Sequence, residues 1–283
     1  MLYIENMIDL KKYFKIIGLE APEPELSLKF LSMLVSSHLQ AFRYQNTYLY
    51  REGKKPTDKR VSGGISLDAV YKLFVEQRQG GYCFQNTELL FGVLVQLGFN
   101  VERHLARVYN QPIATIDFKQ ADLKAFDHVV LIIRIDGADY IIDTGFANNS
   151  LREPLALEPG EQKLGPNKYR ISQQGENWLL EMHIKDDQWL CLYKVVGASC
   201  SQEKVVSANE QLFKSPDNIP IRDGFNKIAC ITTEKRKFLV RFNDGTMFFK
   251  SFKAGRLYRE KILESEESFN ELAERKFSVN LGQ

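Results

Sequence analysis

Through residues 1–98 the apolar positions recur with the period of a helix. In ELSLKFLSMLVSSHLQAF (25–42), Leu28, Leu31, Leu34, Val35 and Leu39 share one face. SLDAVYKLFVEQ starts at Ser66, a residue type that caps helices, and sets Leu67, Val70, Leu73 and Phe74 on a stripe. A third helix, NTELLFGVLVQLG, closes at Gly98, where glycine serves as a C-cap. Between the first two lies YREGKKPTDKRVSGG (50–64), polar and interrupted by glycine, which predicts a surface loop.

Past Gly98 the period shortens to that of strands. VERHLARVY, DHVVLIIRI, ADYIIDTGF, KYRISQQ, NWLLEMHI and QWLCLYKVV are short apolar runs, parted by turn residues such as Asp136-Gly137 and Gln174-Gly175. So many short strands in succession predict a barrel or a curled sheet. After Ala198 the pattern mixes. QLFKSPDNIPI (211–221) carries two prolines and predicts a loop. FNKIACITTEKRKFLVRF (225–242) predicts a hairpin, with EKRK, Glu234 to Lys237, as its exposed tip. SFNELAERKFSVNL predicts a helix running into an extended tail. Helices first, strands next and a mixed segment last point to an α+β fold with segregated layers. The expected divisions are 1–98, 99–200 and 201–283.

Composition excludes more than it selects. A net charge of +2, from 38 basic and 36 acidic residues, offers no electrostatic footprint for nucleic acid. The longest apolar runs, such as HVVLIIRI, are too short to span a bilayer, and MLYIENMIDLKKYF lacks the basic and apolar regions of a secretory leader. Cys83, Cys191, Cys200 and Cys230 form no C-x-x-C pair, so a zinc site is not expected. Few, scattered cysteines without a leader suit a reducing, cytoplasmic setting.

One stretch carries chemistry: RQGGYCFQN, Arg78 to Asn86. Gly80 and Gly81 precede a helix, so Cys83 should lie near that helix's N-terminus, where N–H groups favour a thiolate and can hold an oxyanion. The stretch alone allows two readings, a nucleophile or a small buried residue in a tight turn. A thiolate nucleophile needs a histidine, and the histidine an orienting group. Of His38, His104, His128 and His183, only His128 has a suggestive setting. It opens HVVLIIRIDGADYIID; with Asp136 and Gly137 at the turn, Asp143 falls opposite Val130, diagonal to His128 on one face. One extra loop residue would undo this register.

GGYCFQN, HVVLII and YIIDTGF, in this order, resemble the arylamine N-acetyltransferase family. SSHLQAFRYQN and LARVYNQP resemble further segments of it, so the likeness covers essentially the whole chain. The resemblance implies a helical bundle, an antiparallel β-barrel and an α/β lid around a catalytic core like that of cysteine proteinases. It implies ping-pong transfer of an acetyl group from acetyl-CoA to an arylamine, hydrazine or N-hydroxyarylamine, without a metal. It assigns Cys83 as nucleophile, His128 as its base and Asp143 as the orienting group. Tyr82, Phe84, Gly145 and Phe146 match residues beside the nucleophile or along the CoA and substrate cleft. Lys119, Lys124, Lys214 and Arg222 are the candidate cations for the CoA phosphates. No nucleic-acid or membrane partner is implied, and oligomeric state is left open.

The chain departs from that pattern in the residues around the nucleophile. Gln79 stands where the family has Arg directly before Gly-Gly, with Arg78 one place early. Gln85 replaces a Glu usual in bacterial members, Gln45 replaces the Glu of Pro-Phe-Glu-Asn, Thr87 an Asn, and Ala147 a Gly. A neutral Gln79–Gln45 side-chain contact would replace an ion pair without leaving a lone buried charge. The same residues allow other chemistry: an amide synthase using a larger acyl thioester, a Cys-His-Asp hydrolase, or a silent scaffold.

Overall fold

A computed structural model describes residues 8–20, 25–47, 64–185, 187–214, 226–231, 235–242, 244–279 and 281. Apart from Gly64, the loop expected at 50–64 lies outside them, as do Arg222 and Glu234.

The helical expectations correspond to α1 (Leu10–Ile17), α2 (Leu28–Ala41), α3 (Leu67–Tyr71) and α4 (Cys83–Gln96). Side-chain oxygens of Asp9, Ser27 and Ser66 accept N–H bonds from the first turns of α1, α2 and α3. Helix α3 widens into a π turn over Lys72–Glu76 rather than continuing as one helix to Gln77. The apolar faces meet in one cluster that includes Tyr13, Leu31, Leu34, Val70, Phe74, Leu90 and Val93.

Eight strands follow, with the short helix α5 (Phe118–Ala121) between the first two: β2 (Val101–Pro112), β3 (His128–Ile135), β4 (Ala138–Ile142), β5 (Leu155–Ala156), β6 (Gly160–Leu164), β7 (Asn167–Gln174), β8 (Asn177–Lys185) and β9 (Gln188–Val195). They form one antiparallel sheet, ordered β5-β4-β3-β2-β9-β8-β7-β6, curled into a nearly closed barrel. Alternate residues of β3 serve two cores. Val130 and Ile132 face the barrel interior with Ala106, Tyr169, Leu180 and Tyr193, while Leu131 and Ile133 pack on the helical bundle. This double burial explains the unbroken apolar run at its centre.

After the barrel, α6 (Gln202–Lys214) leads to β10 (Asn226–Ile231), β11 (Lys235–Arg241), β12 (Met247–Lys253), β13 (Arg256–Leu263) and α7 (Glu266–Phe277). The second sheet is ordered β1-β10-β11-β12-β13, where β1 is only Tyr44–Gln45. Tyr44 pairs with Ala229 and Gln45 with Ile228, so the helical half lends an edge strand to the last sheet. The 211–221 segment expected as loop begins as helix, since α6 extends through Lys214. The presumed exposed tip is also revised: Lys235 to Lys237 belong to β11, and Arg236 is partly covered.

One buried ion pair ties bundle to barrel. Glu88 on α4 accepts a two-pronged bond from Arg103 on β2, at 2.7 and 2.8 Å, and the guanidinium lies 3.4 Å from the centre of the Phe91 ring. Glu88 is 3% exposed. Arg103→Ala strands this carboxylate and should cost about 3–5 kcal/mol of unfolding free energy. Adding Glu88→Gln should recover much of the loss; urea unfolding of the single and double variants measures both.

Candidate active site

The turn before α4 is shaped by its glycines. Gly80 sits at φ +74°, and a Cβ there would lie 2.3 Å from the Arg43 carbonyl oxygen. The close approach lets β1 flank the turn: Gly81 N–H donates to Arg43 O, and Gln45 N–H to Gly81 O. A Cβ on Gly81 would strike the Phe74 ring at 2.8 Å. The chain then enters α4 with Cys83 as its first residue and Tyr82 as N-cap. The cysteine therefore stands where a helix concentrates unpaired N–H groups and positive potential.

His128 opens β3, and the hairpin has the expected register: Leu131 pairs with Ile142 and Ile135 with Ala138. Continuing this register sets Asp143 beside Val130, and its Oδ2 lies 2.9 Å from His128 Nε2. Asp143 Oδ1 accepts the Gly145 N–H at 2.9 Å, which fixes the carboxylate plane. The same imidazole is in hydrogen-bonding reach of Cys83. With Nε2 committed to Asp143, the nitrogen left for the thiol is Nδ1. Burial by itself would favour a neutral ring. The Asp143 charge and hydrogen bond outweigh burial, Cys83 adds to them, and the His128 pKa is pushed up to about 10.

Cys83, His128 and Asp143 are thus brought together, as are Gly145 and Phe146. A Cβ on Gly145 would come within 2.8 Å of Cys83 Cα and 2.9 Å of its carbonyl oxygen, so only a glycine allows this packing. Phe146 stands edge-on to His128, ring centres 5.0 Å apart, and Tyr193 closes the group at 5.2 Å from His128. Tyr82 and Phe84 are almost fully buried in a cluster with Leu105, Val129 and α6. Phe84 is 0% exposed and packs beneath the nucleophile rather than along an open cleft.

The other histidines serve elsewhere. His38 accepts from Tyr13 O–H at Nδ1 and donates from Nε2 to Asn86 Oδ1, at 2.8 and 3.0 Å. Burial lowers its pKa to about 4 against the opposing Asn86 bond, so it stays neutral and pins the first turns of α4 to α1 and α2. His104 is held at the Val196 carbonyl, and His183 packs on Trp189. Of the cations suggested for phosphates, Lys119 and Lys124 are exposed, and Lys214 is exposed and paired with Glu210.

The altered amides also differ from expectation. Gln45 Nε2 donates to the main-chain carbonyl of Gln79 at 3.3 Å, and Gln45 Oε1 accepts from Thr47. No Gln79–Gln45 side-chain bond forms, so the two substitutions are not a swapped pair. Gln85 is buried beside the turn, its amide 3.5 Å from the Gly64 carbonyl.

Two contributors were not read from the sequence. The Cys83 thiol points at the Asp127 carbonyl oxygen, 3.8 Å away. The Asp127 carboxyl is pushed up to about 6 by burial, against the opposing Val108 N–H and the His128 charge. Its place directly before His128 was the only available signal. The second is α6: Tyr82 O–H donates to Asn209 Oδ1 at 2.6 Å, and the Tyr82 ring meets Phe213 edge-on. Between α6 and the barrel opens a cavity of about 350 Å³, lined by Leu105, Phe126, Cys200, Lys204, Ala208 and Gln211. Leu105, Phe126 and Ala208 also belong to the cluster that holds Cys83. Among the described residues, no group of three or more His, Cys, Asp or Glu could hold a metal, and no helix is long and apolar enough to cross a membrane.

Residues 27–283 match the N-acetyltransferase family profile. An arylamine N-acetyltransferase of Mycolicibacterium smegmatis is 32% identical over 190 residues, which are 66% of this chain and 64% of that relative's length. The solved M. smegmatis arylamine N-acetyltransferase superposes with a TM-score of 0.80 at 25% identity, covering 97% of this chain and 93% of that one. The Mycobacterium marinum enzyme, solved in complex with CoA, shares the fold at a TM-score of 0.81 and 24% identity, over 97% and 95% of the two chains. With the family profile running through the helical turn, the barrel and the last sheet, the chain belongs to the arylamine N-acetyltransferase family.

Proposed function

We propose that the protein transfers an acetyl group from acetyl-CoA to an arylamine, hydrazine or N-hydroxyarylamine by a ping-pong route through an acetyl-Cys83 thioester. The observation that carries this is the Cys83–His128–Asp143 contact set at the start of α4. His128 takes the thiol proton at Nδ1 and holds it as an imidazolium stabilised by Asp143. The Cys83 sulfur attacks the acetyl carbonyl, N–H groups at the start of α4 stabilise the oxyanion, and CoA leaves with the proton from Nδ1. The acceptor nitrogen or hydroxyl then attacks the acyl carbon while His128 takes its proton, and Cys83 is released. Exchange between two thioesters is nearly balanced in energy, so the first half-reaction runs either way.

Burial of Tyr82, Phe84 and Val129 around the sulfur keeps water from the acyl-enzyme, which favours transfer over hydrolysis.

The test is incubation with acetyl-CoA in the absence of amine, followed by intact mass and peptide mapping. One acetyl group should appear on Cys83, persist, and discharge on adding an arylamine such as 4-aminobenzoate or a hydrazine. Cys83→Ala should carry none. A wild-type protein that stays unmodified, or whose adduct hydrolyses as fast as it forms, contradicts the assignment.

A further inference from the structure

The loop that follows Asp143 meets the last sheet across a seam that is rich in positive charge. Arg152 reaches into it from the barrel side and is 8% exposed. From the sheet side come Arg236 on β11 and Lys227 on β10, both partly covered. Arg236 Nη1 donates to Asn149 Oδ1 at 3.3 Å, and its guanidinium stands over the Phe252 ring. Lys227 faces the Phe238 ring, and burial together with Arg236 pushes its pKa down to about 8.

Among the described residues none of the three cations has an ion-pair partner. Burial depresses all three, Arg236 adds to this at Arg152 and Lys227, and among the described residues the Tyr169 phenol opposes it at the two arginines. Among the described residues, Arg152 Nη1 and Arg236 Nε are buried donors with no acceptor, and the Thr144 and Ser150 hydroxyls of the same loop have no partner. A guanidinium cannot shed its proton to escape burial. Buried charges are normally paired, and buried donors are normally bonded. Two adjacent guanidinium forks with unused donors match the oxygens of a tetrahedral anion.

We propose that Arg152 and Arg236, closed in by Lys227, bind a phosphoryl-type oxyanion at the seam between the barrel and the last sheet. The anion neutralises the cluster and bridges the two bodies next to the loop that carries Asp143, Gly145 and Phe146. Two sources share this chemistry, free phosphate and a phosphate group of a CoA thioester. Only the second rests on the acetyl-CoA reading above.

Thermal unfolding of the full chain in sodium phosphate, against sodium chloride at equal ionic strength, tests the site. Wild type should show a saturable rise in Tm with phosphate, since a ligand that binds only the folded state stabilises by mass action. Arg152→Met and Arg236→Met should each weaken the apparent phosphate affinity by about tenfold or more, the loss of a charge-assisted contact. Their Tm without phosphate should not fall, because each removes an uncompensated buried charge. Arg256→Gln, on the exposed β13, should respond as wild type does. If Arg152→Met fails to fold, Arg152→Lys keeps the charge, loses the fork and should still weaken phosphate binding.

Absence of a saturable response to both phosphate and CoA in wild type overturns the proposal. So does an unchanged response in both arginine variants. CoA that competes with phosphate, with pantetheine failing to compete, supports the site and names the cofactor phosphate as its source. CoA and phosphate effects that add support a separate free anion. Cys83→Ala should retain the phosphate response, so failure of the transferase reading would leave this one standing.

Discussion

Asp143→Asn should lower the rate of Cys83 acetylation by about 10³–10⁴-fold while leaving the fold in place. The reason is the tautomer. In the native protein Asp143 Oδ2 accepts from His128 Nε2. An Asn at 143 can keep the Gly145 N–H bond through its oxygen, which turns its NH₂ group toward Nε2. Nε2 must then accept, Nδ1 carries the hydrogen, and the ring can no longer take the thiol proton. Loss of the charge acts in the same direction. Burial is the largest influence on this ring, and without the carboxylate it would hold His128 neutral.

The pH dependence follows with a definite sign. His128 has a folded pKa of about 10 against an ordinary 6.5. Its contribution to stability is therefore complete below about pH 6.5 and is lost as pH rises through about 10. Nitrogen-15 spectra of the wild type should show a doubly protonated His128 ring at neutral pH, and those of Asp143→Asn a neutral one. An imidazole signal that titrates near 6.5 in both proteins would sink this account. Rapid-mix mass spectrometry of the acetylation step gives the rate.

Gly145→Ala should also be damaging, for a different reason. Gly145 does not occupy the left-handed region, so its backbone accepts alanine; the obstacle is space. The new methyl group would stand 2.8 Å from Cys83 Cα and 3.2 Å from its carbonyl carbon, and main chain cannot rotate aside as a side chain can. The start of α4 and the Asp143 loop must part. A displacement on the order of 1 Å at a reacting atom is enough to cost about 10²-fold in rate. Overpacking should add roughly 1–3 kcal/mol of destabilisation. Acetylation kinetics and thermal unfolding of Gly145→Ala read the two effects. A variant that acetylates at the wild-type rate would show that the contact does not set the geometry.

Much of the reaction centre was legible because it depends on local spacing. The Asp136-Gly137 turn sets the hairpin register, and the register places Asp143 diagonal to His128 without knowledge of the rest. Gly80 and Gly81 mark the turn because Arg43 and Phe74 approach it too closely for a side chain. Elements whose identity comes from pairing rather than burial were not legible. Strand β13 exposes every residue from Arg256 to Ile262, so it has no apolar alternation to read. Strand β6, GEQKL, is equally polar and is defined by its partner β7. Helix α6 is charged over most of its surface and ends close to the prolines of the 211–221 segment, which hid the helix that meets Tyr82. Arg236 sat in a charge run that suggested solvent, yet its strand turns it into the seam. The Gln45–Gln79 link could not be read from residue types, because its acceptor is main chain.

The two residues of β1 have a consequence for assembly. They brace Gly81 on one side and pair with β10 on the other, joining segments far apart in the chain. Such long-range closure is slow, because loop entropy must be spent before the contact forms. During synthesis the turn around Cys83 emerges early, but the strand beside it gains its second neighbour only when residues 226–231 leave the ribosome. Until then both β1 and the growing sheet present unsatisfied edges, the kind of surface that chaperones cover and that misassembles when a nascent chain stalls.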